Sequence, residues 1–184
     1  MPRVNSSAEL DALREGILSS RDPHKPCVAI CAGTACLGLG NDEVIHAFEE
    51  EIKKRSLERE VDLRATGCHG FCEKGPNLVI YPEEIAYTEV RPMDVPEIVS
   101  ETVLGKKVIE RLLYTDPGSG EKAVHLSEIP FYRKQMRQLL GDNTRIDPKR
   151  IEDYLAVGGY SALAKALFEM TPQEVLEEIK KANL

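Results

Sequence analysis

Apolar residues recur with two different periods along this chain, and each change of period marks an element. Leu10, Leu13 and Ile17 fall on one helical face behind Ser6-Ser7-Ala8-Glu9, a serine followed three residues on by a glutamate. That capping pattern predicts a leader helix over residues 7–19. Arg21-Asp22-Pro23-His24-Lys25-Pro26 breaks it, and Cys27-Val28-Ala29-Ile30-Cys31 then forms a short continuous apolar run suited to a buried strand. A loop with Gly33, Gly38 and Gly40 leads to Asn41, the expected N-cap of a helix over 42–56. Val44, Ile45, Phe48 and Ile52 share one face of that helix, while Glu49, Glu50, Lys53 and Lys54 lie elsewhere. Residues 61–65 alternate apolar and charged side chains, as a half-buried strand does. Segments 77–81 and 85–90 flank Pro82-Glu83-Glu84 and read as a hairpin. Asp94-Val95-Pro96-Glu97 opens a further helix that should end near Gly105.

The order strand, helix, strand, hairpin, helix describes an α/β domain. The first two strands are separated by a crossover of the length that a returning parallel strand needs. The loops that follow them should therefore leave the same end of one sheet, where α/β folds place their ligands. After Gly105 the texture changes. Residues 108–113 suit a short helix or an edge segment, and Asp116-Pro117-Gly118-Ser119-Gly120 is a turn and an expected boundary. Three helical stretches should follow. One comes after Pro130, and one runs from Asp147-Pro148 to Gly158-Gly159. The last starts at Thr171-Pro172-Gln173-Glu174, a capping box with proline at its first helical position.

The chemistry sits in the two loops. Cys31-Ala32-Gly33-Thr34-Ala35-Cys36 and Thr66-Gly67-Cys68-His69-Gly70-Phe71-Cys72-Glu73-Lys74-Gly75-Pro76 each carry two cysteines among glycines. Two irons bridged by two sulfides ask for four external thiolates, two per iron, so Cys31, Cys36, Cys68 and Cys72 are candidate ligands of one [2Fe-2S] cluster. Gly33, Gly67 and Gly70 would let backbone N–H groups reach the sulfurs. A structural zinc site also wants two cysteine pairs, although its pairs more often enclose two residues. A dithiol centre lacks a Cys-x-x-Cys motif, two disulfides lack a secretion signal, and a [4Fe-4S] site lacks its compact three-cysteine run. Cys27 reads as a small buried strand residue. His69 stands alone where a Rieske site needs two histidines on one iron, so it is expected as a loop residue donating a hydrogen bond near the cluster. His24, His46 and His125 are scattered and read as surface residues.

Composition narrows the setting. The 184 residues are 42% hydrophobic, with no tryptophan and a formal charge of −7. Residues 1–90 hold sixteen acidic against ten basic side chains, which argues against nucleic acid as a partner of the cysteine-bearing half. Residues 131–150 are locally basic, six against two. No run of about 18 apolar residues occurs, so no transmembrane segment is expected. Met1-Pro2-Arg3-Val4 lacks a secretory core, and cytoplasm is the expected compartment.

The two cysteine loops and the element order resemble the thioredoxin-like [2Fe-2S] ferredoxins. A second resemblance covers Ile129-Pro130-Phe131-Tyr132, Ile146-Asp147-Pro148 and the run from Tyr154-Leu155-Ala156-Val157-Gly158-Gly159 through Leu167. These residues are similar to the lead-in to the flavin domain of NADH-oxidising subunits, in respiratory complex I and in NAD-linked iron hydrogenases and formate dehydrogenases. The resemblance implies three parts: a leader helix and linker over 1–24, a thioredoxin-like [2Fe-2S] domain over 25–114, and a linker and helical extension over 115–184. The basic tail would pack on a flavin domain or a neighbouring subunit. FMN, NAD(P) and a [4Fe-4S] cluster are expected only in a remainder that would follow Asn183-Leu184, because no phosphate-cradling glycine loop occurs in these residues. The function this implies is electron relay within an NAD(P)H-dependent oxidoreductase, with no substrate site and no catalytic residue of its own. The alternatives are a free-standing ferredoxin-like carrier, dimeric through its tail, and a zinc-stabilised interaction domain.

Overall fold

The computed structural model describes residues 3–183; Met1, Pro2 and Leu184, with the readings placed on them, lie outside the described residues. In chain order the regular elements are α1 (Ser7–Ser19), β1 (Cys27–Cys31), α2 (Thr34–Leu37), α3 (Asn41–Lys54), β2 (Asp62–Thr66), β3 (Leu78–Tyr81), β4 (Ile85–Tyr87), α4 (Val95–Glu97), β5 (Tyr114–Thr115), β6 (Lys122–Ala123), α5 (Pro130–Arg133), α6 (Ile151–Ala156), α7 (Ser161–Phe168) and α8 (Pro172–Ala182). They fall into two compact units, residues 23–148 and residues 1–22 with 149–184.

The larger unit is built on a four-stranded sheet of order β2-β1-β3-β4. β1 is parallel to β2, with Cys31 opposite Thr66, and antiparallel to β3. The hairpin expected around Pro82-Glu83-Glu84 pairs Leu78 with Tyr87. Side chains alternate across the pleat. Val28, Ile30, Leu78, Ile80, Ile85 and Tyr87 bury into one layer with Val44, Phe48 and Ile52 of α3 and Ile98 and Val99 of the helix after α4. That helix continues from α4 as π-helical turns over Ile98–Leu104, ending at Gly105 as expected. The hydroxyl of buried Tyr87 pairs with Thr102 Oγ1 at 2.7 Å and accepts the Ile109 N–H at 2.8 Å, so this layer carries its one large polar group satisfied.

The second face departs from expectation. Ala86 lies on that face with Phe71, Ala123, Ile129 and Tyr132. The Ala86 N–H donates to the Val124 carbonyl at 2.9 Å, and Ile85 bridges to His125, so the chain after β6 runs along the sheet edge. The unit therefore extends to Pro148, past the boundary expected at 114. Asp116-Pro117-Gly118-Ser119-Gly120 is the tip of the small β5–β6 hairpin, with Asp116 Oδ1 accepting the Gly118 and Ser119 N–H groups. The reason is burial: β4 presents the small Ala86 on this face, and the Ile129–Tyr132 segment fills the layer beside it. The helix expected after Pro130 shrinks to the four residues of α5.

Two further expectations are corrected. Asn41 does not cap α3: Gly40, at φ +92°, is the N-cap, and Asn41 is the first helical residue, wholly buried. Asp147 does not cap α6, whose N-cap is Arg150.

In the smaller unit, α1 starts on Ser6, whose hydroxyl accepts the Glu9 N–H, and packs Leu10, Leu13 and Ile17 with Ile151, Leu155 and Ala164. Arg21 Nη2 lies 2.6 Å from the buried Asp153 carboxylate. The leader helix and the C-terminal helices thus share one small core. α8 carries the expected Thr171–Glu174 capping box. Among the described residues no helix is long and apolar enough to cross a membrane.

Candidate metal centre

Parallel pairing of β1 and β2 fixes the site. Cys31 ends β1 and Thr66 ends β2, directly opposite each other, so both cysteine loops start at one sheet end. The Ala32 N–H donates to the Thr66 carbonyl at 2.9 Å and locks the two exits together. The first loop turns at once into α2, which carries Cys36 back towards Cys31. The second folds through a 3-10 turn over Cys72–Lys74, closed by the Gly75 N–H on the Cys72 carbonyl.

All four predicted ligands come together. Cys31 and Cys36 are fully buried, Cys68 and Cys72 half-buried, and none of the five cysteines is disulfide-bonded. The two loops interlock at these residues: a Cβ on Gly33 would stand 3.4 Å from Cys68 Sγ, a Cβ on Gly75 would stand 3.2 Å from Cys36 Sγ, and the His69 N–H of the second loop reaches Cys31 Sγ of the first at 3.5 Å. Cys27 lies in β1, buried, as expected.

The electrostatics follow from crowding. Burial pushes the Cys36 thiol far above its usual range, and the hydrogen bond and charge of Cys31 add to the rise. Cys72 is raised as well, first by burial and then by the charge of Cys68. Cys36 and Cys72 therefore resist becoming thiolates by themselves. A cationic metal centre removes that resistance, because coordination deprotonates a thiol outright. Among the described residues no three histidine, cysteine, aspartate or glutamate side chains close around a point as a single ion requires. A dinuclear cluster asks for less, two sulfurs on each of two irons, and a donor set of two linked thiol pairs fits it.

Backbone donors are already aimed at sulfur. The His69 N–H lies 3.5 Å from Cys31 Sγ, and the Gly70 N–H 3.3 Å from Cys68 Sγ, with Gly70 at φ +88°. His69 is thus the hydrogen-bond donor expected beside the four cysteines, through its backbone, and its ring is buried against Thr66, with Nε2 2.7 Å from Oγ1. The Thr66 hydroxyl gives its own proton to the Ile30 carbonyl at 3.0 Å, so Nε2–H is the donor. Burial, then the charge of Arg137, pushes His69 down to about 3, and it stays neutral.

Two buried asparagines were missed in the sequence. Asn41 Nδ2 donates to the Cys31 carbonyl, and Asn77 Nδ2 donates to the Phe71 carbonyl at 3.0 Å. The Asn77 carbonyl also accepts the Cys31 N–H at 3.2 Å, so Asn77 touches both loops. Nothing in local patterning marks them, since a polar residue beside a glycine loop reads as a cap or a turn.

A sequence profile of thioredoxin-like [2Fe-2S] ferredoxins matches residues 18–103. A "Ferredoxin, 2Fe-2S" of Clostridium pasteurianum is 39% identical over 77 residues, 42% of this chain and 76% of that one. The chain belongs to the thioredoxin-like [2Fe-2S] ferredoxin family. Two subunits of Solidesulfovibrio fructosivorans are also similar. NADP-reducing hydrogenase subunit HndC is 44% identical over 52 residues, 28% of this chain and 10% of that one. Subunit HndA is 32% identical over 78 residues, 40% and 44% of the two chains. As a member of this family the ferredoxin domain has electron transfer as its function and a [2Fe-2S] cluster as its cofactor.

Close approach of the two loops in this ferredoxin domain depends on Gly33. A Cβ there would stand 3.1 Å from Cys68 Cβ and 3.3 Å from Cys68 Cα, leaving no room for a branched side chain. Gly33→Val is expected to shorten the lifetime of the bound cluster under chelator challenge by about tenfold, the scale of a lost supporting contact at a metal site. Absorbance bleaching measures it, and a wild-type lifetime would refute the close-approach argument.

Proposed function

We propose that Cys31, Cys36, Cys68 and Cys72 hold one [2Fe-2S] cluster, and that this chain serves as an electron relay within an NAD(P)H-linked flavin and iron–sulfur oxidoreductase complex of the hydrogenase type. The observation that carries the ligand assignment is the close approach of the two cysteine loops at the end of the parallel β1–β2 pair, Gly33 against Cys68 and Gly75 against Cys36. Similarity to two NADP-reducing hydrogenase subunits supports the setting. In this reading FMN, NAD(P) and any [4Fe-4S] cluster belong to other parts of the complex.

When bound, the cluster supplies reversible one-electron chemistry. The residues of the chain hold and orient it. Asn41 and Asn77 fix the backbone that presents the cysteines, and the His69 and Gly70 N–H groups point at sulfurs whose negative charge rises on reduction. Hydrogen bonds to such sulfurs favour the reduced state. No proton need move, and none of the four cysteines acts as an acid, base or nucleophile.

Anaerobically purified protein is expected to contain about two irons and two acid-labile sulfides per chain. Dithionite should produce the EPR signal of a one-electron-reduced two-iron centre. Colourless protein with one zinc per chain would overturn the assignment in favour of a zinc-held interaction domain. Purification from the native host should bring a flavin-containing NAD(P)H-oxidising partner with it; a chain recovered alone and fully loaded would mark a free-standing carrier.

A further inference from the structure

A positive charge is built against the second cysteine loop by a segment that the sequence placed outside the ferredoxin domain. Phe131 stacks on Phe71 at 4.9 Å between ring centroids and 19° between planes. Tyr132 meets the same Phe71 ring edge-on at 5.6 Å. Asn143 fills the space over Gly67, where an added Cβ would lie 2.8 Å from its Cγ. Between these contacts sits Arg137. Its Cζ is 5.4 Å from the Tyr132 ring centroid, and a Cβ on Gly70 would be 4.0 Å from its Nη2. Gly70 is the residue whose N–H points at Cys68 Sγ.

The guanidinium is not used up in this seat. Nη2 is buried without a hydrogen-bond partner, which is costly for an ionised donor and calls for an explanation. Arg137 makes no ion pair among the described residues, unlike Arg111 and Arg145, whose carboxylate partners are Asp94 with Glu97, and Glu84.

We propose that Arg137 is the charge-compensating residue of the electron-carrying centre: seated on the Tyr132 ring and against Gly70, its guanidinium stabilises the negative charge that reduction adds to the four-cysteine site. This rests on the assignment of the four cysteines as cluster ligands. Two ferric ions, two sulfides and four thiolates sum to a dianion, and one electron from a one-electron donor makes it a trianion with no bond formed or broken. A fixed cation beside a half-buried anion favours the more negative state, and it is screened less by salt than a surface charge would be. Arg137 touches no substrate; it is a positioning residue, and the midpoint potential reads its role directly.

The test uses the full chain carrying its cluster. Iron, sulfide and the EPR signal of wild-type protein establish the ligand assignment first; their absence would fail that assignment and not the role of Arg137. Arg137→Gln is then expected to make reduction about tenfold less favourable, a shift of about 59 mV to lower potential for a one-electron couple. Arg137→Lys should keep most of the wild-type potential, and Arg59→Gln, an exposed charge, should keep all of it. A Gln variant with the wild-type potential, or one that moves no further than Arg59→Gln, overturns the proposal. If Arg137→Gln folds but holds no iron, Arg137→Met, which retains an apolar stem for Tyr132, is measured in its place. Loss of iron from both neutral variants with retention in Arg137→Lys supports a charge role. Loss from all three overturns it in favour of packing alone.

Discussion

Replacing Cys36 with alanine is expected to strip the site of iron, lowering iron and acid-labile sulfide per chain by at least about tenfold. Cys36 is fully buried and faces the second loop, where a Cβ on Gly75 would stand 3.2 Å from its Sγ. Without it one iron would keep a single cysteine. Cys27 cannot take over: it sits in β1, paired with Asp62 on one side and Tyr81 on the other, and moving it would open the central strand. The companion variant Cys27→Ala should keep full iron, at a cost in stability of about 1 kcal/mol for the small void it leaves. Iron and sulfide analysis of the two variants side by side decides the matter. Iron retained in Cys36→Ala and lost in Cys27→Ala would sink the ligand assignment.

Phe48→Ala is the substitution expected to cost most stability, about 3–5 kcal/mol from a typical total of about 5–15 kcal/mol. Phe48 is fully buried between α3 and the sheet, in the layer that also holds Val28, Ile30 and Tyr87. The loss bears on function through a short route. α3 begins with Asn41, whose amide holds the Cys31 carbonyl, so loosening the helix on the sheet loosens the first cysteine loop. Denaturant unfolding should show a lower midpoint with an unchanged slope, and absorbance should show faster loss of the cluster at temperatures where the fold persists. A cost below about 1 kcal/mol would mean that α3 is not anchored through this residue.

Relay through this domain also depends on what covers the site. Cys68 and Cys72 are half-buried, and the chain from Ile129 to Asn143 lies over their loop. Of the locally basic stretch expected to meet a flavin domain or a neighbouring subunit, Arg137 lies against the ferredoxin unit itself, while Arg133 and Lys134 are exposed.

Sequence and structure agree wherever the hydrophobic signal is periodic. The leader helix, the buried strand at Cys27–Cys31, the hairpin after Asn77 and the capping box at Thr171 all stand where their patterns put them. They part where a residue type has two common uses. Asn41 beside Gly40 reads as a cap, and its side chain instead went to a carbonyl ten residues back. Asp147-Pro148 reads as a helix start, yet α6 begins three residues later.

By itself the sequence determined the strongly periodic elements, the leader helix, the strands and helices up to Gly105 and the last helix, and which two loops carry sulfur, because period, capping residues and cysteine spacing are local properties of a chain. Tertiary structure alone decided that residues 115–148 complete the sheet's second face, that Asn41 and Asn77 brace the loops, and that Arg137 rests against Gly70. Those contacts join positions far apart in sequence. Their energy comes from buried area and unpaired charge, quantities that exist only once the layers have closed.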